Sequence, residues 1–247
     1  MFQRLKKRQN RSLSRKVIEL GKASRWDGLR EVTVIEETFE LPGLMDETLQ
    51  FMTWARLGRW TVVRKRAAGA TDERVRLEIT GFTSLSARYP TIHNPKEYIR
   101  ETVRSTDKWY YDQYTDWAKS RFDTVLLRYG GDDEGGTMSN RRIARVLLIF
   151  SVRSYWSDEL LKLAFVQLFS TSPQVDRWSR MFKVKKQNMF EVVEIDTIER
   201  GVHLIPFFTS LDLKMANWRS DPALNVYTDF WLNNQIDMHM YNTIYGE

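Results

Sequence analysis

Cysteine is absent from the 247 residues, which excludes disulfides, thiolate metal ligands and cysteine nucleophiles. Histidine is nearly so: His93, His203 and His239 stand far apart, with no HxxxH or HxH spacing. A zinc site would need carboxylates, and no metal site is expected. No run of 18 apolar residues occurs, so no membrane-spanning helix is expected. The opening MFQRLKKRQNRSLSRK lacks the apolar stretch of a secretory signal. P-loop, GxGxxG and GxSxG motifs are missing. No cofactor, small-molecule substrate or membrane partner is expected.

What is present is cationic, and unevenly so. The net charge is +6, but residues 1–30 hold ten Lys/Arg against Glu19 and Asp27, which makes that segment +8 and the remainder −2. The head contains Arg4, Lys6, Lys7, Arg8, Arg11, Arg15 and Lys16, a cluster suited to a phosphate backbone or an import receptor. Any nucleic-acid contact from the body must come from local patches: Arg64-Lys65-Arg66, Arg141-Arg142, and Lys183, Lys185 and Lys186.

Residues 12–21 read as a short helix stopped by Gly21. The β-branched run VTVIEETFE (32–40) reads as a strand closed by the Pro42-Gly43 turn. Residues 44–57 show helical spacing, with Leu44, Met45, Thr48, Leu49, Met52 and Leu57 on one face. RWTVVRKR and RVRLEIT read as a hairpin joined by AAGATDE. Pro90 and Pro95 punctuate a loop, and Pro95 is placed to start a helix running to Val103. Beyond residue 120 the pattern turns to strands. RFDTVLLRY, then IARVLLIFSV and LLKLAFVQLF, read as strands, the last two as a central pair buried on both faces. FKVKK, MFEVVEI and HLIPFF complete about six strands, and Asp221-Pro222 opens a terminal helix carrying Leu224, Tyr227, Trp231, Asn234 and Asp237.

Two stretches invite a sharper reading. DKWYYDQYTDW packs five aromatics into eleven residues and could stack bases. Its three aspartates oppose only Lys108 within it and Lys119 just beyond, which favours packing within a loop. Asp132-Asp133-Glu134 resembles the carboxylate set of a transposase nuclease, yet these residues adjoin one another in a glycine-rich loop. Metal catalysis needs carboxylates converging from rigid elements. His203 precedes an apolar strand and reads as a satisfied core histidine. No catalytic residue emerges.

The order of several motifs does resemble a family. KEYIRETVRSTDKW, RFDTVLL, ARVLLIF, LAFVQLF, MFKVKK, VVEIDTIERGVHLIPFF and YTDFWLNNQIDMHMYNTIY follow one another across about residues 77–245. In that order they resemble the C-terminal, post-nuclease region of Plavaka-type, CACTA-like transposases of fungi. The residues on pattern are Ile198, Arg200, His203, Leu204, Ile205, Pro206, Phe230, Asn233, Asp237 and His239. Most read as architectural: Ile198, Val202, Leu204 and Ile205 suit a buried strand, Asp196 and Arg200 a charge pair, and Asn233, Asp237 and His239 one face of the terminal helix. In the family this region follows the nuclease domain, for which this chain has no room, so the resemblance implies an accessory role without nuclease chemistry.

Together these readings give an α+β fold, predominantly β: a small barrel-like or strongly twisted antiparallel sheet with a C-terminal helix packed on it. The expected divisions are a basic segment at 1–30, an α/β part at 31–120 and a β-rich core at 121–247, with 31–247 able to form one domain. The expected function is a non-enzymatic, nuclear accessory domain of a transposable-element-derived protein. Its expected partners are DNA and a transposase nuclease subunit or chromatin protein. The alternative is a protein-interaction or chromatin module that does not bind DNA.

Overall fold

The computed structural model describes residues 17–23, 30–57, 77–90, 96–106, 121–129, 138–153, 160–208, 223–236, 240, 241 and 244. They form a predominantly β, antiparallel α+β structure of two sheets and a helical pair. Its spine is the pair read from the two apolar runs, β7 (Arg141–Arg153) and β8 (Leu160–Val175). They pair from Ile143↔Phe169 to Arg153↔Leu160. Continuous apolar sequence is what a strand covered on both faces requires, and the covering layers are distinct. Leu148, Phe150, Leu163 and Phe165 enter one core, and Ala144, Val146, Ala164 and Val166 another.

The first core is roofed by α1 (Val32–Thr38) and α2 (Leu44–Leu57). The α2 helix lies where its spacing placed it, with Leu44, Thr48 and Met52 buried. The segment read as a strand at 32–40 is a helix instead, corrected by packing. Val32 and Ile35 lie one helical turn apart, both 0% exposed, while Thr33 and Val34 face outward. Burying that i, i+3 pair outweighs the β propensity of the run. Glu36 then joins the two helices: its carboxylate accepts the Gly43 and Met45 N–H groups, each at 2.8 Å. An acidic group there satisfies orphan donors at the α2 N-terminus. Gly43, at φ +81°, makes the left-handed turn expected of Pro42-Gly43.

The second core is closed by a four-stranded sheet, β1-β3-β4-β5, from β1 (Val17–Leu20), β3 (Ser84–Pro90), β4 (Tyr98–Thr106) and β5 (Arg121–Phe122). Three expectations change here. The end of the residue 12–21 helix is strand β1, since Val17–Leu20 find partners in Arg88–Leu85. Residues 87–90, read as loop, belong to β3, and residues 98–103, read as helix, to β4. These two pair over seven positions from Ser84↔Arg104 to Pro90↔Tyr98. Pro90 is tolerated as the last residue of its strand, where a missing N–H costs least. Gly21 donates to Ser84 O at 2.8 Å, and a Cβ at Gly21 would collide with Ser84 Oγ and lie 2.9 Å from Ser84 O. The glycine permits close strand approach rather than ending a helix.

The large sheet runs β10 (Ile198–Val202), β6 (Thr124–Arg128), β7, β8, β9 (Phe182–Glu194), β12 (Asp229–Leu232), β11 (Leu204–Pro206), with β2 (Ile79–Phe82) paired to the far half of β7. The described arm of the expected 59–80 hairpin is therefore a partner of β7, and residues 58–76 lie outside the described residues. The run at 121–129 is two strands, β5 and β6 (Thr124–Arg128), divided at Asp123. FKVKK and MFEVVEI merge into one strand, β9 (Phe182–Glu194). The expected terminal helix is mostly absent: α3 (Ala223–Val226) is a single turn, and Trp231 and Phe230 lie in β12 (Asp229–Leu232). Met240 and Ile244 are helical and buried against Phe230 and Leu232.

The ends of this sheet meet in sequence. β10 (Ile198–Val202) pairs with β6, β11 (Leu204–Pro206) pairs with β12, and His203 alone separates them. Strands at opposite ends of a hydrogen-bonded order can be consecutive in the chain only if the sheet curls round. Its inner side is the third core, where Leu126, Ile143, Phe169, Val184, Phe230 and Leu232 converge with Val202 and Leu204. No ladder joins β10 to β11, so the sheet is strongly curved but not a closed barrel.

Candidate nucleic-acid interface

The cations singled out in sequence separate into four environments. Arg4, Lys6, Lys7, Arg8, Arg11, Arg15, Lys16, Arg64, Lys65 and Arg66 lie outside the described residues, as does the aromatic stretch 107–117. Arg141 is consumed by Glu199, with Nε–Oε2 at 2.6 Å, and Arg142 stacks over the Tyr129 ring at 4.9 Å. On β9 the strand alternation splits the lysine run: Lys183 and Lys185 are exposed, Val184 between them is buried, and Lys186 is half-buried. A period of 2 sends neighbouring side chains to opposite faces, so the run is two groups rather than one patch.

The outward group belongs to a larger surface. Lys183 lies opposite Trp231 and Lys185 opposite Asp229. Lys183 Nζ lies 5.0 Å from the Phe207 ring centroid and 3.5 Å from Asp229 Oδ1. Phe207 and Trp231 are tilted rings 5.5 Å apart, with Phe207 39% exposed. Cations interleaved with accessible rings on a rigid ladder are what base stacking and backbone neutralisation require.

The strongest feature went unmarked in the sequence. The turn joining β8 to β9 carries Asp176-Arg177-Trp178-Ser179-Arg180, and Trp178 is 87% exposed. Nothing about the loop is loose. Asp176 Oδ2 accepts from Trp178 N at 3.1 Å, Ser179 N at 2.7 Å and Ser179 Oγ at 2.9 Å. Arg180 N returns to Asp176 O at 3.0 Å, and Arg180 adopts a left-handed φ of 57°. From the far side, Asn234 Nδ2 donates to Arg180 O at 2.7 Å and Gln235 Nε2 to Ser179 O at 3.1 Å. The bonds from Ser179 and Trp178 also hold the Asp176 carboxyl below the ordinary aspartate range. A large apolar ring is thus held in water by an over-determined backbone, with the Arg177 guanidinium 5.6 Å from its centroid. From residue 176 to 186 the chain carries five Lys/Arg against Asp176 alone. The signal that could have found it is the string DRWSR between two strand-like runs.

The family-pattern residues gather elsewhere, at the seam of the curled sheet. Ile198 and Phe230 are buried in β10 and β12, and Leu204 and Pro206 pair with Leu232 and Phe230. His203 is exposed rather than a core histidine; its carbonyl accepts the Asn233 N–H at 2.9 Å. Asn233 follows a strand, not a helix, and Asp237 and His239 lie outside the described residues. Arg200 is buried and finds its carboxylate on the other sheet: Glu101 Oε1 lies 2.9 Å from Nη2, and Glu101 Oε2 accepts Gly201 N at 2.8 Å.

Two concavities accompany these surfaces. One, of about 410 Å³, is lined by Glu101, Phe122, Asp123, Thr124, Arg200, His203 and Leu224 among others. The other, of about 290 Å³, is lined by Glu47, Phe51, Arg128, Tyr129, Glu191 and Glu194 among others. In the second, desolvation first and the Glu191 charge next raise the Glu47 carboxyl above its ordinary range, and Glu191 accepts the Tyr129 hydroxyl at 2.9 Å. Among the described residues no three His, Asp or Glu side chains group so as to hold a metal ion, and no helix is long and apolar enough to cross a membrane. No protein-family model, curated protein or solved structure matches the chain.

Proposed function

We propose that the chain is a non-catalytic nucleic-acid-binding domain that engages its partner through the β8–β9 hairpin. The observation that carries this reading is Trp178, 87% exposed on a turn fixed from both sides, beside Arg177 and followed along β9 by the exposed Lys183 and Lys185. An aromatic presented this way offers stacking area at little entropic cost, and the adjoining cations supply the phosphate attraction. The basic residues of the first 30 positions add a second, sequence-independent contribution to the same partner. On the motif resemblance, we assign the domain to a transposable-element-derived protein acting in the nucleus, where it positions DNA for a nuclease carried by another domain or chain. A strongly curved sheet whose two end strands are consecutive in the chain, separated by His203, suits that scaffold role.

Fluorescence anisotropy with single-stranded and duplex oligonucleotides tests the reading. Stacking is worth about 1–3 kcal/mol per base by alanine substitution, so Trp178→Ala weakens binding about 5- to 150-fold, while far-ultraviolet circular dichroism is unchanged. Wild-type protein that binds neither oligonucleotide at low salt overturns the reading. Trp178→Ala loss of a protein partner without loss of DNA would instead favour the interaction-module alternative, since exposed tryptophans also serve as protein hot spots.

A further inference from the structure

Three buried or half-buried arginines cross the large sheet, and two are compensated. Arg141 holds Glu199, and Arg200 holds Glu101. Arg145 of β7 is different. It is 6% exposed, its Nε is enclosed without a hydrogen-bond partner, and its guanidinium makes no ion pair or hydrogen bond among the described residues. Among the described residues its one specific contact is the face of Phe122, 4.8 Å from the guanidinium carbon to the ring centroid. Burial without a partner holds Arg145 down to about 10. Lys186 is also held below the ordinary lysine range, first by burial and then by the Arg145 charge.

Buried charges are ordinarily paired, because desolvation otherwise opposes folding. The nearby acids are already committed. Asp123 binds Arg121 Nε at 3.0 Å and Arg104 N at 2.9 Å, and Glu101 binds Arg200 and Gly201. Two cations that repel one another therefore share the inner side of the sheet, and among the described residues no carboxylate is bonded to either. Neither cation lines the 410 Å³ cavity itself, but residues in contact with each of them do. Phe122, which Arg145 stacks on, Thr124, its register partner, and Leu224, whose carbonyl accepts Lys186 Nζ at 2.9 Å, all line it. Lys186 bonds to Leu224 O and, at 3.5 Å, to Asn225 O, which leaves one of its three donors.

We propose that Arg145 and Lys186 form a binding site for a phosphate group, reached through the cavity lined by Phe122, Thr124 and Leu224. The planar fork of Arg145 gives a bidentate contact to two phosphate oxygens, and the Lys186 ammonium supplies the second charge. The group could arrive as a free anion or on the end or backbone of a nucleic acid. The chemistry is the same in either case, and no covalent step is involved.

Inorganic phosphate titrated into the full chain, followed by calorimetry and thermal melting against chloride of matched ionic strength, tests the site. The expected result is saturable binding that Arg145→Met and Lys186→Met each weaken about tenfold or more. Arg145→Met should melt no lower than wild type in phosphate-free buffer, because it removes an uncompensated buried charge; lost binding is then not lost folding. A 5′-phosphorylated oligonucleotide compared with its unphosphorylated twin identifies the source of the group. A phosphate response no larger than that of chloride, with no advantage for the 5′-phosphorylated strand, overturns the proposal. So does an equal response in Arg145→Met, since phosphate stabilises most proteins by exclusion from their surfaces. Trp178→Ala keeps the phosphate response, so this site and the hairpin stand or fall separately.

Discussion

Replacing Glu101 with glutamine should cost far more than its quarter-exposed position suggests. The carboxylate bridges two sheets, binding Arg200 Nη2 at 2.9 Å and Gly201 N at 2.8 Å. The Arg200 side chain is 6% exposed and that of Glu101 23%. Removing one member of a buried pair costs about 3–5 kcal/mol because the other charge stays uncompensated. Partial exposure of Glu101, and the one acceptor that glutamine retains, reduce this to about 2–3 kcal/mol. For a chain of this size each kcal/mol lowers Tm by about 2–4 °C, so calorimetry should show a fall of about 4–12 °C. Glu19→Gln is the control. Its partner Arg88 is closer, at 2.7 Å, but the two side chains are 47% and 46% exposed. A screened pair contributes about 0–1 kcal/mol, and its loss should be near the limit of measurement. In the double variant Glu101→Gln with Arg200→Met, much of the single-variant loss should return. A Glu101→Gln shift no larger than that of Glu19→Gln, or strict additivity in the cycle, would refute the reasoning.

Two further outcomes follow from the packing and charge. Phe165 is fully buried and stacks on Phe190 at 5.7 Å; Phe165→Ala should lower unfolding free energy by about 3–5 kcal/mol in urea titration, and a loss under about 1 kcal/mol would mean the sheet–helix core is not packed as described. The Glu47 carboxyl, raised by burial, Glu191 and Asp46, binds its proton more tightly folded than unfolded. Its contribution to stability is present below the unfolded glutamate value, about 4.3, and is lost as pH rises through the higher native one. Glu47→Gln should flatten that decline; an unchanged pH profile from pH 4 to about 7 would contradict the assignment.

Long uniform signals were legible in the sequence, and short ambiguous ones were not. The α2 helix and the β7–β8 pair followed directly from spacing and from unbroken apolar runs. Val32–Thr38 was misread because propensity favours β there, while the deciding fact, a partner helix for Val32 and Ile35, is tertiary. β3 and β4 were hidden by prolines at residues 90 and 95 that lie at or beyond strand ends. β12 was hidden because Leu224, Tyr227 and Trp231 mimic helical spacing across a turn and a strand. Lys183, Lys185 and Lys186 read in sequence as one cationic patch, but strand alternation puts Lys186 behind the surface that the other two share. Trp178 is marked in sequence only by the string DRWSR between two strand-like runs, because exposure depends on which turn the chain makes. Arg145 was likewise invisible, since being unpartnered is a property of the neighbours.

The salt dependence of duplex binding tests the hairpin most directly. Each phosphate neutralised contributes about −0.9 to the slope of log K against log salt concentration. With Arg177, Lys183 and Lys185 in contact, those three side chains account for about −2.7 of the wild-type slope. The double variant Lys183→Ala with Lys185→Ala should flatten it by about 1.8, whatever the basic N-terminal segment adds. A double variant whose slope and low-salt affinity both equal those of wild type would contradict the account.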